Sequence, residues 1–371
     1  MTINLKRLCL LGLVAASATL LACNSGSSGG SSSSSGETGQ LSLAVTDGPI
    51  DNATNVFLRF TAVELRGPSG RQELIEFESV REIDLLALQG EESEALFVGE
   101  EVPAGEYNQI RFLIEPDESQ SGPPQNRQVT TSVIRFADEP EQRLAIPGGE
   151  PAGVQTQGSF TVPPGGVLAL TADFDLRKMI TRGVGTQWDG FHRLRRTGIR
   201  IIENADVGVI RGQVDASIIP NEIVEQCMPH PDEDKNHYIC PGAAVYVYEG
   251  IGDDVEFLNI RTDEDGEDLD GNPITTANVR YMPIEDEESN GETWGYFYSA
   301  GFVPEGDYTV ALTFDADSDD AERDTPIDFV DWSPAPVEAG QATVVNFPTE
   351  NFEDPGEEDE EENGEDEENG E

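Results

Sequence analysis

From residue 40 onward, apolar and polar residues alternate with a period of two in short runs that Gly and Pro separate. Such alternation is typical of β-strands with one buried face. The best helix candidate is a single short stretch, REIDLLALQ (81–89). The pattern therefore predicts an all-β protein. The first series of runs comprises LSLAVT (41–46), VFLRFTAVEL (56–65), QIRFLIE (109–115), TTSVIRF (130–136), GSFTV (158–162) and VLALTADFDL (167–176).

A second series of alternating runs begins at residue 206, directly after the run IRIIE ends. The close spacing of runs and turn signals favours sandwiches over parallel α/β architecture. We therefore predict two tandem β-sandwich domains, residues 40–205 and 206–352, both of ordinary domain size. The second series comprises VGVIRGQVDA (207–216), AAVYVYEG (243–250), VEFLNIRT (255–262), TWGYFYSAGF (293–302), DYTVALTFD (307–315) and QATVVNFP (341–348).

The N-terminal 22 residues carry Lys6 and Arg7 and then an apolar run that is too short to span a bilayer. This is the pattern of an export signal. The run ends in Leu-Leu-Ala-Cys, which resembles the lipobox of bacterial lipoproteins. The resemblance implies cleavage before Cys23 and acylation of its thiol, with Asn24 favouring the outer membrane. The alternative is a soluble secreted protein with an accidental cysteine.

The chain carries 73 acidic against 22 basic residues, a net charge of -51. This balance excludes a nucleic-acid binder of the usual basic kind, and it leaves membrane attachment to the lipid. Residues 23–39 are rich in Ser and Gly and predict a flexible tether. Residues 353–371 hold 13 acids in 19 positions, which predicts a disordered tail that is either simply solvated or a cation store.

Five motifs follow one another along the first series: TDGPID (46–51), TAVEL (61–65), IDLLALQG (83–90), VPAGEYNQIRFLI (102–114) and LTADFDLRKMIT (170–181). In this order they resemble the DUF4382 family of bacterial lipoproteins across about residues 41–203. The resemblance implies an envelope location and no particular reaction. The family motif that usually ends in serine has Met179 at that position.

The second predicted domain carries the motifs GVIRGQV (208–214), AAVYVYEG (243–250), GDYTVAL (306–312) and VEAGQATVV (337–345). Through these motifs it resembles carboxypeptidase-regulatory and starch-binding-like sandwiches. The resemblance implies a carbohydrate-binding-like fold and, through it, a carbohydrate ligand.

Two cysteines remain in the mature chain besides Cys23, namely Cys227 and Cys240. An exported compartment oxidises such a pair, so we predict a disulfide. Closing this loop would stabilise the fold by roughly 3 kcal/mol in the chain-entropy model. The alternative is a tetrahedral zinc site, because His230 and His237 complete a CxxH and HxxC set.

Acidic loops offer oxygen ligands of the kind that calcium prefers. Asp315, Asp317 and Asp319 have the DxDxD spacing, although Asp320 occupies the position where a glycine would allow the sharp turn. Calcium is therefore the cofactor to consider, and the alternative is a solvated acidic loop.

Basic residues are scarce, yet several cluster after residue 172. If the runs are strands, Asp173, Asp175 and Arg177 share one face, and so do Arg196 and Arg200. This arrangement predicts either a cross-strand ladder of carboxylates and guanidinium groups or an anion site.

Aromatic residues recur at every second position in the run TWGYFYSAGF. Trp294, Tyr296 and Tyr298 would project from one face of a strand as a row of rings. Such a row could be the floor of a sugar site. The alternative is that it faces the sandwich core and packs against Tyr246 and Tyr248.

The chain has three histidines, no HExxH motif, no P-loop and no supported nucleophile elbow. We therefore predict a non-catalytic binding module at the outer membrane, with carbohydrate as its ligand. The alternative is a calcium-stabilised structural or adhesive envelope protein without a small ligand.

Overall fold

The computed structural model describes residues 37–50, 53–120, 127–136, 140–147, 153–182, 191–196, 198–227, 238–263, 269–284, 293–321, 323 and 325–350. Within them the chain forms nineteen strands and two short helices, α1 (Leu176–Met179) and α2 (Asn221–Cys227). The all-β prediction is confirmed. The export signal, Cys23, the tether, His230, His237 and the acidic tail lie outside the described residues.

The first half of the structure, residues 38–203, begins with a four-stranded sheet of order β12-β9-β1-β4. Within this sheet β1 lies between β9 and β4. It pairs in parallel with β9 and antiparallel with β4. β12 closes the opposite edge by pairing antiparallel with β9. The bounds are β1 Thr38–Gly48, β4 Glu94–Pro103, β9 Val167–Asp175 and β12 Ile199–Glu203.

An eight-stranded sheet forms the second layer of this half, with the order β10-β11-β7-β6-β2-β5-β8. The long strand β2 also pairs with β3, which lies off this path. The bounds are β2 Ala53–Arg66, β3 Gln72–Asp84, β5 Gly105–Ile114, β6 Arg127–Phe136, β7 Gln142–Pro147, β8 Gly153–Val162, β10 Ile180–Arg182 and β11 Phe191–Leu194.

The core of the first half lies between these two sheets. Phe174 from the smaller sheet meets Phe60 and Phe112 from the larger one edge to face, with ring centroids 5.9 and 5.1 Å apart. All three rings are fully buried, so they join the two layers into one sandwich core. The predicted helix at 81–89 is wrong: β3 continues to Asp84, and only a 3-10 turn follows, Leu85–Leu88.

The second half, residues 207–350, contains one seven-stranded sheet of order β18-β17-β14-β15-β16-β13-β19. Its pairs are antiparallel except for β13 and β19, which run parallel at the edge. The bounds are β13 Val207–Val214, β14 Tyr238–Glu249, β15 Thr275–Pro283, β16 Trp294–Pro304, β17 Tyr308–Thr313, β18 Phe329–Pro334 and β19 Ala342–Val344.

The central strand β14 is buried on both faces, and its alternate residues enter two different cores. Val245 and Val247 join the core beneath the sheet, which Ile223 and Cys227 of α2 also enter. Tyr246 and Tyr248 point the other way and pack with Phe329. The sheet therefore has two buried sides at its centre.

A disulfide joins Cys227, at the end of α2, to Cys240 on β14. Both residues are fully buried within the core beneath the sheet. The disulfide prediction is confirmed, and the zinc alternative is not, because each sulfur atom is bonded to the other.

Candidate functional site

The two halves meet at a polar, buried contact that we call the junction, formed by Asp47, Gln89, Arg177, Asn278 and Ser299 and the residues around them. Arg177 is 7% exposed and reaches from α1 into the second half. Its guanidinium donates to Thr276 Oγ1 at 2.7 Å and to Asn278 Oδ1 at 2.8 Å. It also lies 5.5 Å from the ring centroid of Tyr246. One buried cation from the first half is thus bound by the second.

Backbone from the two halves also meets closely at the junction. A Cβ atom added to Gly301 would lie 2.0 Å from the carbonyl oxygen of Gly90, so no side chain fits there. Gly90 itself has a φ of 79°, a conformation that favours glycine. Two further contacts cross the boundary, Arg195 to Thr262 at 2.5 Å and Arg211 to Glu91 at 3.2 Å.

Asp47 is 5% exposed at the junction, and neither of its carboxylate oxygens has a hydrogen-bond partner among the described residues. Burial raises the pKa of Asp47 well above its ordinary value, and the charges of Asp173, Asp175 and Asp84 raise it further, while Arg177 opposes them. The carboxyl lines a cavity of about 10 Å³, which is close to the volume that one water needs.

Other polar atoms that line the same small cavity also have no hydrogen-bond partner in the described structure. They are Gln89 Nε2, Asn278 Nδ2 and Ser299 Oγ. Arg280 also lines the cavity, and burial lowers the pKa of its guanidinium. The junction therefore brings together buried polar groups from distant segments of the chain, and no local sequence pattern indicates this.

The predicted ladder of acidic and basic residues is only partly formed. Asp173 on β9 pairs with Arg200 on β12 at 2.8 Å, in direct register. Asp175 instead holds Lys178 Nζ at 3.2 Å and caps α1. Arg177 leaves the predicted face because the chain turns into α1 after Asp175, and Arg196 precedes β12 rather than lying on it. The prediction that Arg177 and Arg196 lie on strands is therefore wrong.

The predicted row of rings on β16 divides between the core and the surface. Tyr296 and Tyr298 are 6% and 2% exposed, and the Tyr298 hydroxyl donates to the Val345 carbonyl at 2.8 Å. A ligand platform made from these two rings is therefore wrong, since they lie within the core beneath the sheet. Tyr246 and Tyr248 do not pack against them, because they lie on the opposite face.

Trp294 differs from its two neighbours, because it is only half-buried. It stacks on Tyr281 of β15 at a centroid distance of 5.2 Å and 28° between planes, and it lies 5.9 Å from Tyr238 of β14. Tyr238 and Tyr281 are half-buried too. We call Tyr238, Tyr281 and Trp294 the aromatic patch; Tyr296, 4.9 Å from Tyr281, attaches it to the core.

The predicted calcium loop is not formed. Asp315 and Asp317 are exposed, but Asp319 turns inward and accepts hydrogen bonds from the Tyr246 hydroxyl at 2.8 Å and the Ile260 amide at 3.1 Å. The intervening residues Ala316–Ser318 form a 3-10 turn. Throughout the described ranges, no three Asp, Glu, His or Cys side chains are grouped so that they could hold a metal ion.

In the part of the chain that the structure describes, no helix is long and apolar enough to cross a membrane. No curated protein matches the chain in sequence. The chain is structurally similar to the Bacillus anthracis TIE protein (11% identity, TM-score 0.16), of which it spans 33% while 84% of this chain is covered.

Two further similar structures are fimbrial proteins. The fimbrial anchor protein Mfa2 from Porphyromonas gingivalis is 10% identical with a TM-score of 0.17, covering 79% of this chain and 82% of Mfa2. The shaft pilin spaA from Lactobacillus rhamnosus GG is 11% identical with a TM-score of 0.18, covering 84% of this chain and 97% of the pilin. Likenesses at this level carry no conclusion about function.

A family model does match in sequence, over residues 38–190. It is described as a domain of unknown function, DUF4382, and the matched range contains strands β1 to β10 of the first half. The motifs that resemble this family all lie within the matched range. Residues 38–190 therefore match the DUF4382 family model, and the resemblance predicted from the sequence is confirmed for this range.

Proposed function

We propose that the chain is a lipoprotein, attached to the outer membrane through Cys23, whose β domains bind carbohydrate without catalysing a reaction. Attachment is supported by the export signal and by the Leu-Leu-Ala-Cys sequence that ends it. Several acyl chains on one cysteine hold a protein firmly, whereas one chain holds it only marginally. A strongly acidic chain needs such an anchor, since anionic lipid surfaces repel it.

The observation that carries the binding function is the aromatic patch. Three half-buried rings from neighbouring strands lie together at one end of the seven-stranded sheet, with Trp294 stacked on Tyr281 and 5.9 Å from Tyr238. Rings in this setting offer apolar faces to the C–H side of a sugar, while the tyrosine hydroxyls supply hydrogen bonds at the edge. Tyr296, buried behind Tyr281, fixes the position of the patch.

A glycan array probed with the lipidated protein in detergent tests the binding function. We expect Trp294→Ala to abolish retention of at least one class of glycan that the wild type binds. Trp332→Ala is the matched control, because Trp332 is also half-buried but packs on Phe257 in the other core. The binding function is wrong if the wild type retains no glycan, or if both variants retain glycans equally.

Stability separates a binding role of Trp294 from a packing role. Loss of a core tryptophan costs about 3–5 kcal/mol, whereas a ring held mainly for ligand contact costs less, about 1 kcal/mol. Urea unfolding of Trp294→Ala measures this difference. A loss in the higher range would assign Trp294 to packing.

The anchor has its own test, metabolic labelling with a palmitate analogue. Cys23→Ser should carry no label, because the thiol that accepts the lipid is gone. Cys9→Ser is the matched control, since Cys9 lies within the predicted signal and should leave labelling unchanged. Equal labelling of both variants would contradict attachment through Cys23.

A further inference from the structure

Beside the junction runs an open groove with a volume of about 290 Å³. We call it the junction groove. The second half supplies most of its wall, and Glu91 of the first half closes one side. The residues that matter for its chemistry are Glu91, Val207, Val209, Arg211, Phe302 and Gln341.

Phe302 enters the groove from an irregular part of β16. The register between β13 and β16 shifts here: Gly208 pairs with Val303 and Ile210 with Ala300, so Gly301 and Phe302 together oppose Val209. This is a β-bulge, a device that redirects a side chain from the regular face of a strand. The bulge therefore explains why this phenylalanine lines the groove.

Phe302 also has a φ of 52°, in the left-handed region that bulky residues rarely adopt. Among the described residues, the other non-glycine with positive φ is Ser69, in the turn Pro68–Gly70. A small polar residue in a turn needs little explanation, but a phenylalanine in a strand does. Strain of this kind persists where the surrounding structure imposes it, often at ligand sites.

The junction imposes the strained conformation. Gly301, next to Phe302, lies against the carbonyl oxygen of Gly90 with no space for a Cβ atom. The first half thus holds the bulge in place, so the backbone of Phe302 cannot adopt an unstrained φ unless the contact between Gly301 and Gly90 moves. A glycine at position 302 would adopt the same backbone without strain, so the ring itself must be the reason for the phenylalanine.

The polar groups of the groove favour an uncharged ligand. Arg211 and Glu91, each about half exposed, pair at 3.2 Å, so the charges in the groove cancel. Their remaining donor and acceptor positions, with Gln341 nearby, suit the paired hydroxyls of a sugar. The volume lies at the lower end of ligand pockets, which fits a mono- or disaccharide.

We propose that the junction groove is a second saccharide site, selective for neutral sugars, in which Phe302 provides the ring and Arg211 with Glu91 bonds the hydroxyls. The proposal rests on the carbohydrate-binding function proposed above and adds a site separate from the aromatic patch. Because Glu91 comes from one half and Phe302 from the other, a sugar bound here touches both halves.

The test uses an array of neutral and uronate-bearing oligosaccharides and thermal unfolding of the same proteins. Phe302→Gly should weaken binding of a neutral subset of glycans at least tenfold, with a Tm equal to or above that of the wild type. Ser69→Gly is the matched control for relief of strain: its Tm should not fall, and its binding should not change. Trp294→Ala should leave the Phe302-dependent subset bound.

Each alternative outcome has a distinct meaning. If glycan binding depends on Trp294 but not on Phe302, the groove proposal is overturned and the proposed function stands. If the wild type binds no glycan, both are overturned. If the Phe302-dependent glycans carry uronates, selectivity for neutral sugars is wrong, and a marked fall in Tm for Phe302→Gly with unchanged binding would assign the ring to packing.

Discussion

Asp47 and Asp331 are both buried aspartates, and their surroundings differ completely. Asp331 is 1% exposed and accepts three hydrogen bonds, from the Trp332 amide at 2.8 Å, the Thr349 amide at 2.6 Å and the Thr349 hydroxyl at 2.5 Å. Asp47 is 5% exposed and has no such partner in the described structure. The Asp331 carboxylate, within one half, is fully bonded, whereas the Asp47 carboxylate at the junction is not, so the junction is the less optimised of these two surroundings.

The largest effect that would test this comparison is expected for Asp331→Ala. The substitution leaves the Thr349 and Trp332 amides without their acceptor, whereas the Thr349 hydroxyl keeps the Trp332 carbonyl at 3.0 Å. We expect a loss of about 3 kcal/mol in the free energy of unfolding. Urea denaturation at pH 7 measures it. Asp331→Asn, which keeps one acceptor oxygen, should lose less. A loss below about 1 kcal/mol for Asp331→Ala would contradict the assignment.

Asp47→Asn should raise the free energy of unfolding rather than lower it. Because the folded pKa of Asp47 is raised above its unfolded value, folding favours the protonated carboxyl. The stability that this gives is present at low pH and is lost as pH rises from the ordinary value of about 4 through the folded pKa. Asp47→Asn should therefore match the wild type near pH 4 and exceed it at pH 7 by about 2 kcal/mol.

The measurement for Asp47 is urea unfolding of both proteins across that pH range. Asp331→Asn is a useful control, because the Asp331 carboxylate accepts three hydrogen bonds and the protein should not gain stability when this charge is removed. If the free energy of unfolding depends on pH in the same way for the wild type and Asp47→Asn, another group at the junction stabilises the Asp47 carboxylate.

The smallest effect on stability is expected at Asp215, an exposed aspartate. Hydrogen bonds from the Ser217 hydroxyl at 2.7 Å and the Ser217 amide at 2.8 Å lower the pKa of Asp215. Its contribution to stability is present above the ordinary pKa and is lost as pH falls through the lowered one. Ser217→Ala should move the pKa of Asp215 up, as an NMR titration would detect, with little change in Tm. Ser217→Thr, which keeps the hydroxyl, should not move it.

The sequence predicted the strands well, because period-two alternation follows directly from burial of one face. It could not predict which layer each face meets: the run that carries Tyr246 and Tyr248 is a strand as expected, but these rings lie opposite Tyr296 and Tyr298. Spacing defines which residues share a face, and only tertiary packing decides what covers that face.

The candidate sites show the same limit. The pair Asp173 and Arg200 follows from strand register, but Arg177 was misplaced because α1 begins at Leu176, one residue before it. Phe302 was missed, although Gly301 within a strand is a recognised sign of a bulge or a close backbone contact. The residues of the junction come from distant segments, so no local pattern could reveal them.

In each half, a strand near the start of the sequence pairs with a strand near its end. β1 pairs in parallel with β9, and β13 pairs in parallel with β19, so neither sheet is complete until most of that half is present. Non-local pairing of this kind slows folding, and we expect pulsed hydrogen exchange to show the amides of β1 protected only together with those of β9. In the exported lipoprotein proposed above, neither half could complete its sheet before its late strand had crossed the membrane.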